Sequence, residues 1–120
     1  MDLKDFVSHA ATVLHVQDIS RSLKFYTQMG FEIIFGWEEP ITYAVLKLGD
    51  VQVHLSQSSG TRKPSTSLYI FVHQVDEIYD RLVANGVTTH NQPSTTDYGM
   101  REFDVLDPDQ HMITFGKGDA

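Results

Sequence analysis

The chain has 120 residues, 41% hydrophobic and 21% charged, which allows one domain with a real core and is too short for two ordinary ones. Nine Lys and Arg stand against 16 Asp and Glu, a formal net charge of −7. That balance argues against nucleic acid, whose phosphates need a basic surface, and suits a neutral or cationic small ligand.

The N-terminal "MDLKDFVSHAATVLHV" is acidic early and lacks the basic start of a signal peptide. No apolar run approaches the roughly 18 residues of a membrane span. With no cysteine, the chain has no disulfide, thiolate metal site or cysteine nucleophile. The expected location is cytoplasmic, with no membrane partner.

"ATVLHV" alternates and is β-branched, so it reads as a strand. Asp18 and Ser20 offer N-cap oxygens to "ISRSLKFYTQM", where Ile19, Leu23 and Tyr26 fall at helical spacing and Gly30 stands at the C′ position. "FEIIFGW" reads as a strand. "ITYAVLKL" and "VQVHLSQ", joined by Gly49-Asp50, read as a hairpin. Residues 58–67, "SSGTRKPSTS", have linker composition.

The order then repeats. "LYIFVHQV" reads as a strand, Asp76 as the cap of "EIYDRLVAN", Gly86 as its stop, and "VTTH" as a short strand. "REFDVL" and "HMITFG" flank the turn Asp107–Gln110 and form a last hairpin. Met29-Gly30 and Asn85-Gly86 are 56 residues apart, and the turn residues Asp50 and Asp109 are 59 apart, so the register marks an internal repeat. The expected fold is α+β and a single domain spanning 1–120. Module one covers about 7–57 and module two about 68–117. Two tandem βαβββ modules then make a curved eight-stranded mixed sheet, with helices outside and a concave ligand face inside.

"VLHVQDISRSLKFYTQMGFE", "VDEIYDRLVANGV" and "YGMREFDVLDPDQHMITF" resemble the glyoxalase / bleomycin resistance protein / extradiol dioxygenase superfamily, the vicinal oxygen chelate fold. The resemblance covers nearly the whole chain and leaves the activity open, because one fold hosts many functions. It implies metal-ligand positions seven residues before the Asp that caps helix one, in the middle of the last strand of module one, six before the Asp of helix two, and seven after the first Asp of the "DP" turn. Those positions hold Ala11, His54, Ile70 and Thr114. Ala and Ile have no lone pair to give, and neutral Thr is a poor ligand for the family's ions. No cofactor is therefore expected. The alternative is a divalent metal on a non-standard site built from His9, His15 and His54.

By strand alternation residues 9, 11, 13 and 15 share a face. His54 would face them, with no mid-strand Asp or Glu to join the set. His73 and His111 fall near loops and read as solvated.

Without metal chemistry, the resemblance points to the bleomycin resistance branch. It implies a homodimer that sequesters a ligand, stacking flat rings between aromatic side chains in clefts at the subunit interface. Tyr43 and Tyr98 stand at stacking positions, and Trp37 in a loop that can act as a lid. Gln52 and Ser56 share the parity of His54 and add polar contacts, and Thr114 faces the cavity. Arg101 and Glu102 read as a pair that fixes the hairpin. Asp107 and Asp109 read as turn residues.

The expected function is metal-free binding of a flat or cationic small molecule, rather than catalysis. The alternatives are a metal-dependent glyoxalase-like lyase, isomerase or dioxygenase, and a non-catalytic metabolite-binding module.

Overall fold

The computed structural model describes residues 2–6, 8–58 and 64–118. After a short turn of 3₁₀ helix at Leu3–Phe6 the elements run β1 (Thr12–Val16), α1 (Ile19–Gln28), β2 (Glu32–Trp37), β3 (Tyr43–Leu48), β4 (Val51–Gln57), β5 (Ser67–Phe71), α2 (Val75–Ala84), β6 (Ser94–Thr95), β7 (Met100–Leu106) and β8 (Met112–Gly118). Most of the linker read at 58–67 lies outside the described residues.

The repeat is visible in the pairing. Module one forms a sheet in the order β1-β4-β3-β2, and module two one in the order β5-β8-β7-β6. β1 runs parallel to β4, and β5 to β8; the other neighbours are antiparallel. The fold is α+β, as expected, but the strands make two open sheets of four rather than one hydrogen-bonded sheet of eight. Each module completes its own ladder by returning its first strand to its last, so the modules join through side chains.

Alternation then decides which residues reach the helices. Leu14, Val16, Ala44, Leu46, Val53 and Leu55 of sheet one are buried, as are Ile70, Phe103, Val105, Ile113 and Phe115 of sheet two. With Ile19, Tyr26, Val75 and Leu82 from the helices they form one cluster that spans both modules. Phe103 and Phe115 stack at 5.3 Å and 18°, while Tyr79 meets Phe103 edge-on at 5.3 Å.

Asp18 caps α1, its carboxylate accepting from the Arg21 N–H at 3.3 Å. α2 begins one residue earlier than Asp76. Its N-cap is Gln74, which makes no side-chain cap bond, and Asp76 and Glu77 lie in the first turn, where the helix dipole favours acidic groups. Gly30 and Gly86 close the two helices with φ of 102° and 87°, the left-handed region glycine enters freely.

"VTTH" is not a strand. Asn91 accepts the Asp104 N–H at 2.7 Å through its side chain, which takes the place of a ladder bond, and pairing with β7 starts only at Ser94–Thr95.

The β7–β8 turn is a clamp between modules. Asp107 accepts from the Tyr26 hydroxyl at 2.7 Å and from the N–H groups of Asp109 and His111 at 2.9 and 2.8 Å. Asp109 accepts the Gln17 N–H at 3.0 Å. His111 accepts the Thr66 N–H on Nδ1 at 2.8 Å and donates from Nε2 to the His15 carbonyl, also at 2.8 Å. His111 is therefore buried, 2% exposed, and not solvated as loop proximity suggests. Burial, the nearby Asp107 carboxylate and the hydrogen bond to it all push the Tyr26 phenol far up.

Candidate functional site

The faces of the sheets turned away from the helices carry the chemistry. On sheet one this open face holds Val13 and His15 of β1, Gln52, His54 and Ser56 of β4, and Tyr43 and Val45 of β3, as the registers Val13↔His54, His15↔Ser56, Val45↔His54 and Tyr43↔Ser56 place them. Phe35 and Trp37 extend it on β2, opposite Val45 and Tyr43.

The polar residues here are tied together. The Tyr43 hydroxyl meets His54 Nδ1 at 2.7 Å, and His54 Nε2 meets Gln52 Oε1 at 3.2 Å. The Tyr43 and His54 rings stand at 84°. Trp37 ends β2 rather than lying in a loop, is 58% exposed, and sits 6.5 Å from the Phe35 ring.

Sheet two presents Tyr69 and Phe71 of β5, Thr114 of β8, and Glu102 and Asp104 of β7 on the matching face. Glu102 accepts from the Tyr69 hydroxyl at 2.8 Å and also from the Tyr98 hydroxyl. Asp104 accepts from Thr114 at 2.6 Å and from Asn91 at 2.9 Å. Desolvation and the bond to Glu102 push the Tyr69 phenol up to about 12, and the bond to Glu102 also raises Tyr98.

Sequence spacing alone does not single out Glu102 and Asp104, yet these are mid-strand carboxylates of the kind expected to be missing. Strand alternation is the available signal: Phe103 and Val105 turn to the helices, so Glu102 and Asp104 turn to the open face, where Asp104 pairs with Thr114. Arg101 does not pair with Glu102. Alternation sends it to the other face, where it holds Asp76 through two bonds of 2.7 Å.

Three of the four spacing-derived metal positions do reach an open face or its approach: Ala11, His54 and Thr114. Ile70 does not. It is 4% exposed in the core cluster, because it has the helix-facing parity of β5. Val13 faces His54 as Tyr69 faces Thr114, so the counterpart of Ala11 in module two is Ser67.

These residues do not suit the family's metal. Ala11 has no donor, both His54 nitrogens are engaged, and the Thr114 hydroxyl is committed to Asp104. His9 is exposed ahead of β1 and bonds Ser8 at 2.8 Å. Among the described residues no group of three or more His, Asp or Glu side chains could hold a metal ion, so His9, His15 and His54 are not brought together as one.

Two surface grooves of about 640 and 600 Å³ lie beside α2, and neither is lined by Tyr43 or His54. No described helix is long and apolar enough to cross a membrane.

Known proteins resemble this chain in sequence and in fold. A bleomycin resistance protein of Geobacillus stearothermophilus is 30% identical over 123 residues, spanning 85% of this chain and 90% of that protein. A bleomycin resistance determinant encoded on the transposon Tn5 superposes with a TM-score of 0.80 at 18% identity, over 95% of this chain and 100% of its own. A bleomycin-binding protein in complex with bleomycin superposes with a TM-score of 0.79 at 19% identity, over 94% of this chain and 100% of its own. At those identities the two structures speak for the fold alone. Residues 7–115 match the family model, and the chain belongs to the Glyoxalase/Bleomycin resistance protein/Dioxygenase superfamily.

Proposed function

We propose that this protein binds and sequesters a flat, cationic small molecule on the open faces of its two sheets, without a metal and without converting it. One observation carries the reading. Aromatic side chains remain exposed on the faces that the helices leave uncovered: Trp37 at 58%, Phe35 at 50%, Phe71 at 75% and Tyr98 at 70%. Exposed aromatics left on a sheet face mark a place where something docks. A flat ring stacked on such side chains gains about 0.5–1.5 kcal/mol each beyond area burial, and a cation over the ring gains about as much. Glu102, Asp104 and the formal net charge of −7 favour a cation. A relative 30% identical to this chain is a bleomycin resistance protein, and a structural neighbour is a bleomycin-binding protein in complex with bleomycin, which supports a ligand of that kind.

The open faces are broad surfaces within one chain. A homodimer that sets an open face of one copy against the other copy would turn them into clefts. Trp37 is the sole tryptophan, so its fluorescence reports on the site directly. Titration with bleomycin should quench it saturably, at a stoichiometry of two ligands per dimer measured by sedimentation. An unchanged Trp37 signal across bleomycin and flat cationic dyes would sink the reading.

A further inference from the structure

The hydrogen-bond directions on sheet one specify what the ligand must offer. Gln52 Oε1 can only accept, so the His54 nitrogen that meets it at 3.2 Å, Nε2, must carry the hydrogen. A neutral imidazole has one N–H, which leaves Nδ1 with a lone pair. Tyr43 stands 2.7 Å from that lone pair and can close the bond only by donating its hydroxyl hydrogen. Its single donor is then spent inside the protein. What Tyr43 turns to the open face is oxygen lone pairs alone.

We propose that Tyr43 is a specificity-determining residue, fixed by His54 as an obligate acceptor, and that it selects ligands presenting an N–H donor, such as an amidinium, guanidinium or ammonium group, over carbonyl, carboxylate or phosphate ligands. This deepens the binding function proposed above and rests on it for the site, though not for the hydrogen-bond direction. Sheet two repeats the arrangement independently. The hydroxyls of Tyr69, Tyr98 and Thr114 donate to Glu102 and Asp104 and likewise expose only acceptors. Ser56 stands opposite Tyr43 on the β3–β4 ladder, where its hydroxyl can orient a ligand that also carries an acceptor.

A ligand that offers only acceptors meets lone pair against lone pair at Tyr43. It leaves both sides desolvated and unpaired, which is a larger penalty than a missing bond.

The test has two parts. The first needs no ligand: long-range nitrogen–proton NMR at neutral pH, with His54 assigned from the loss of its signals in His54→Asn. The expected pattern is a pyrrole-type Nε2 and a pyridine-type Nδ1, and the reverse pattern overturns the proposal. The second compares biphenyl-4-carboxamidine with biphenyl-4-carboxylate by calorimetry, two probes with the same flat rings and opposite hydrogen-bonding ends. The amidine should bind at least about tenfold tighter, and Tyr43→Phe should remove most of that preference while the protein's net charge stays the same. Equal affinities, or a preference untouched in Tyr43→Phe, overturn the proposal. If neither probe binds, the flat-ligand reading fails, and the NMR pattern still decides the direction of the Tyr43 bond.

Discussion

Tyr26 in the last turn of α1 donates its hydroxyl hydrogen to Asp107 in the β7–β8 turn at 2.7 Å, across 81 residues of sequence. Tyr26 is fully buried and Asp107 is 2% exposed, so each completes the other's bonding where water cannot. The same carboxylate holds the turn's own backbone through Asp109 and His111. This pair and the shared apolar core lock the two modules together.

Tyr26→Phe removes one donor from that carboxylate and keeps the ring and its edge-on contacts with Phe25 and Phe31. The cost should be about 1–3 kcal/mol, the price of leaving a buried acceptor short of a partner. Urea unfolding should show a lower midpoint at unchanged slope. Phe103→Ala, which empties the centre of the sheet-two stack, should cost about 3–5 kcal/mol.

Arg101 fixes α2 to β7 through Asp76, and its hydrogen bonds hold the Asp76 carboxyl below its ordinary value of 3.8. A carboxyl depressed on folding stabilises the protein above its unfolded value and stops doing so as pH falls through the folded one. Both side chains are exposed, so the effect is small. Acid titration should show wild type and Asp76→Asn converging below about pH 3.8, with wild type the more stable above it. A gap that widens on acidification would contradict the pairing.

Gly116 exists for Tyr69. A Cβ at position 116 would lie 1.9 Å from the Tyr69 hydroxyl and 2.5 Å from its ring carbon. Gly116→Ala should swing Tyr69 off Glu102, with little loss of stability because Tyr69 is at the surface. In a spectroscopic titration of the tyrosines, the phenol held up to about 12 should fall in Gly116→Ala and in Glu102→Gln. Its stabilising contribution is present below the ordinary phenol value and lost as pH rises through about 12.

His54→Ala frees Tyr43 to rotate and removes the ring it stands against. Binding of flat cationic compounds should weaken about tenfold or more, and far-UV circular dichroism should be unchanged, since His54 is half-buried on an open face.

Much of the fold was legible because alternation and helical spacing agree with burial. "VQVHLSQ" buries Val53 and Leu55 and turns His54 outward as its period demands. Gly30 and Gly86 stop both helices where the repeat places them. The error at Ile70 has a definite origin. Asp76, six residues after Ile70, looks like a cap in the sequence, whereas Gln74 caps α2 with no side-chain bond to announce it. Seven residues before Asp18 is Ala11, and seven before Gln74 is Ser67, its true counterpart in module two. The buried roles of Asp107, Asp109 and His111 were hidden for another reason. Polar turn residues look alike in sequence whether they meet water or a neighbouring module, and only the tertiary contact with α1 separates the cases. The open-face residues Trp37, Tyr43, His54, Tyr98 and Thr114 came from parity and resemblance. The hydrogen-bond directions among them follow only from the tertiary arrangement.

The most direct measurement is recovery of bleomycin after long incubation with stoichiometric protein, read by mass spectrometry, with and without a metal chelator. Binding without conversion predicts that all of the compound returns unchanged in both samples, while held tightly enough to survive gel filtration with the protein. A product that accumulates with time, above all one suppressed by the chelator, would contradict it and make this chain an enzyme.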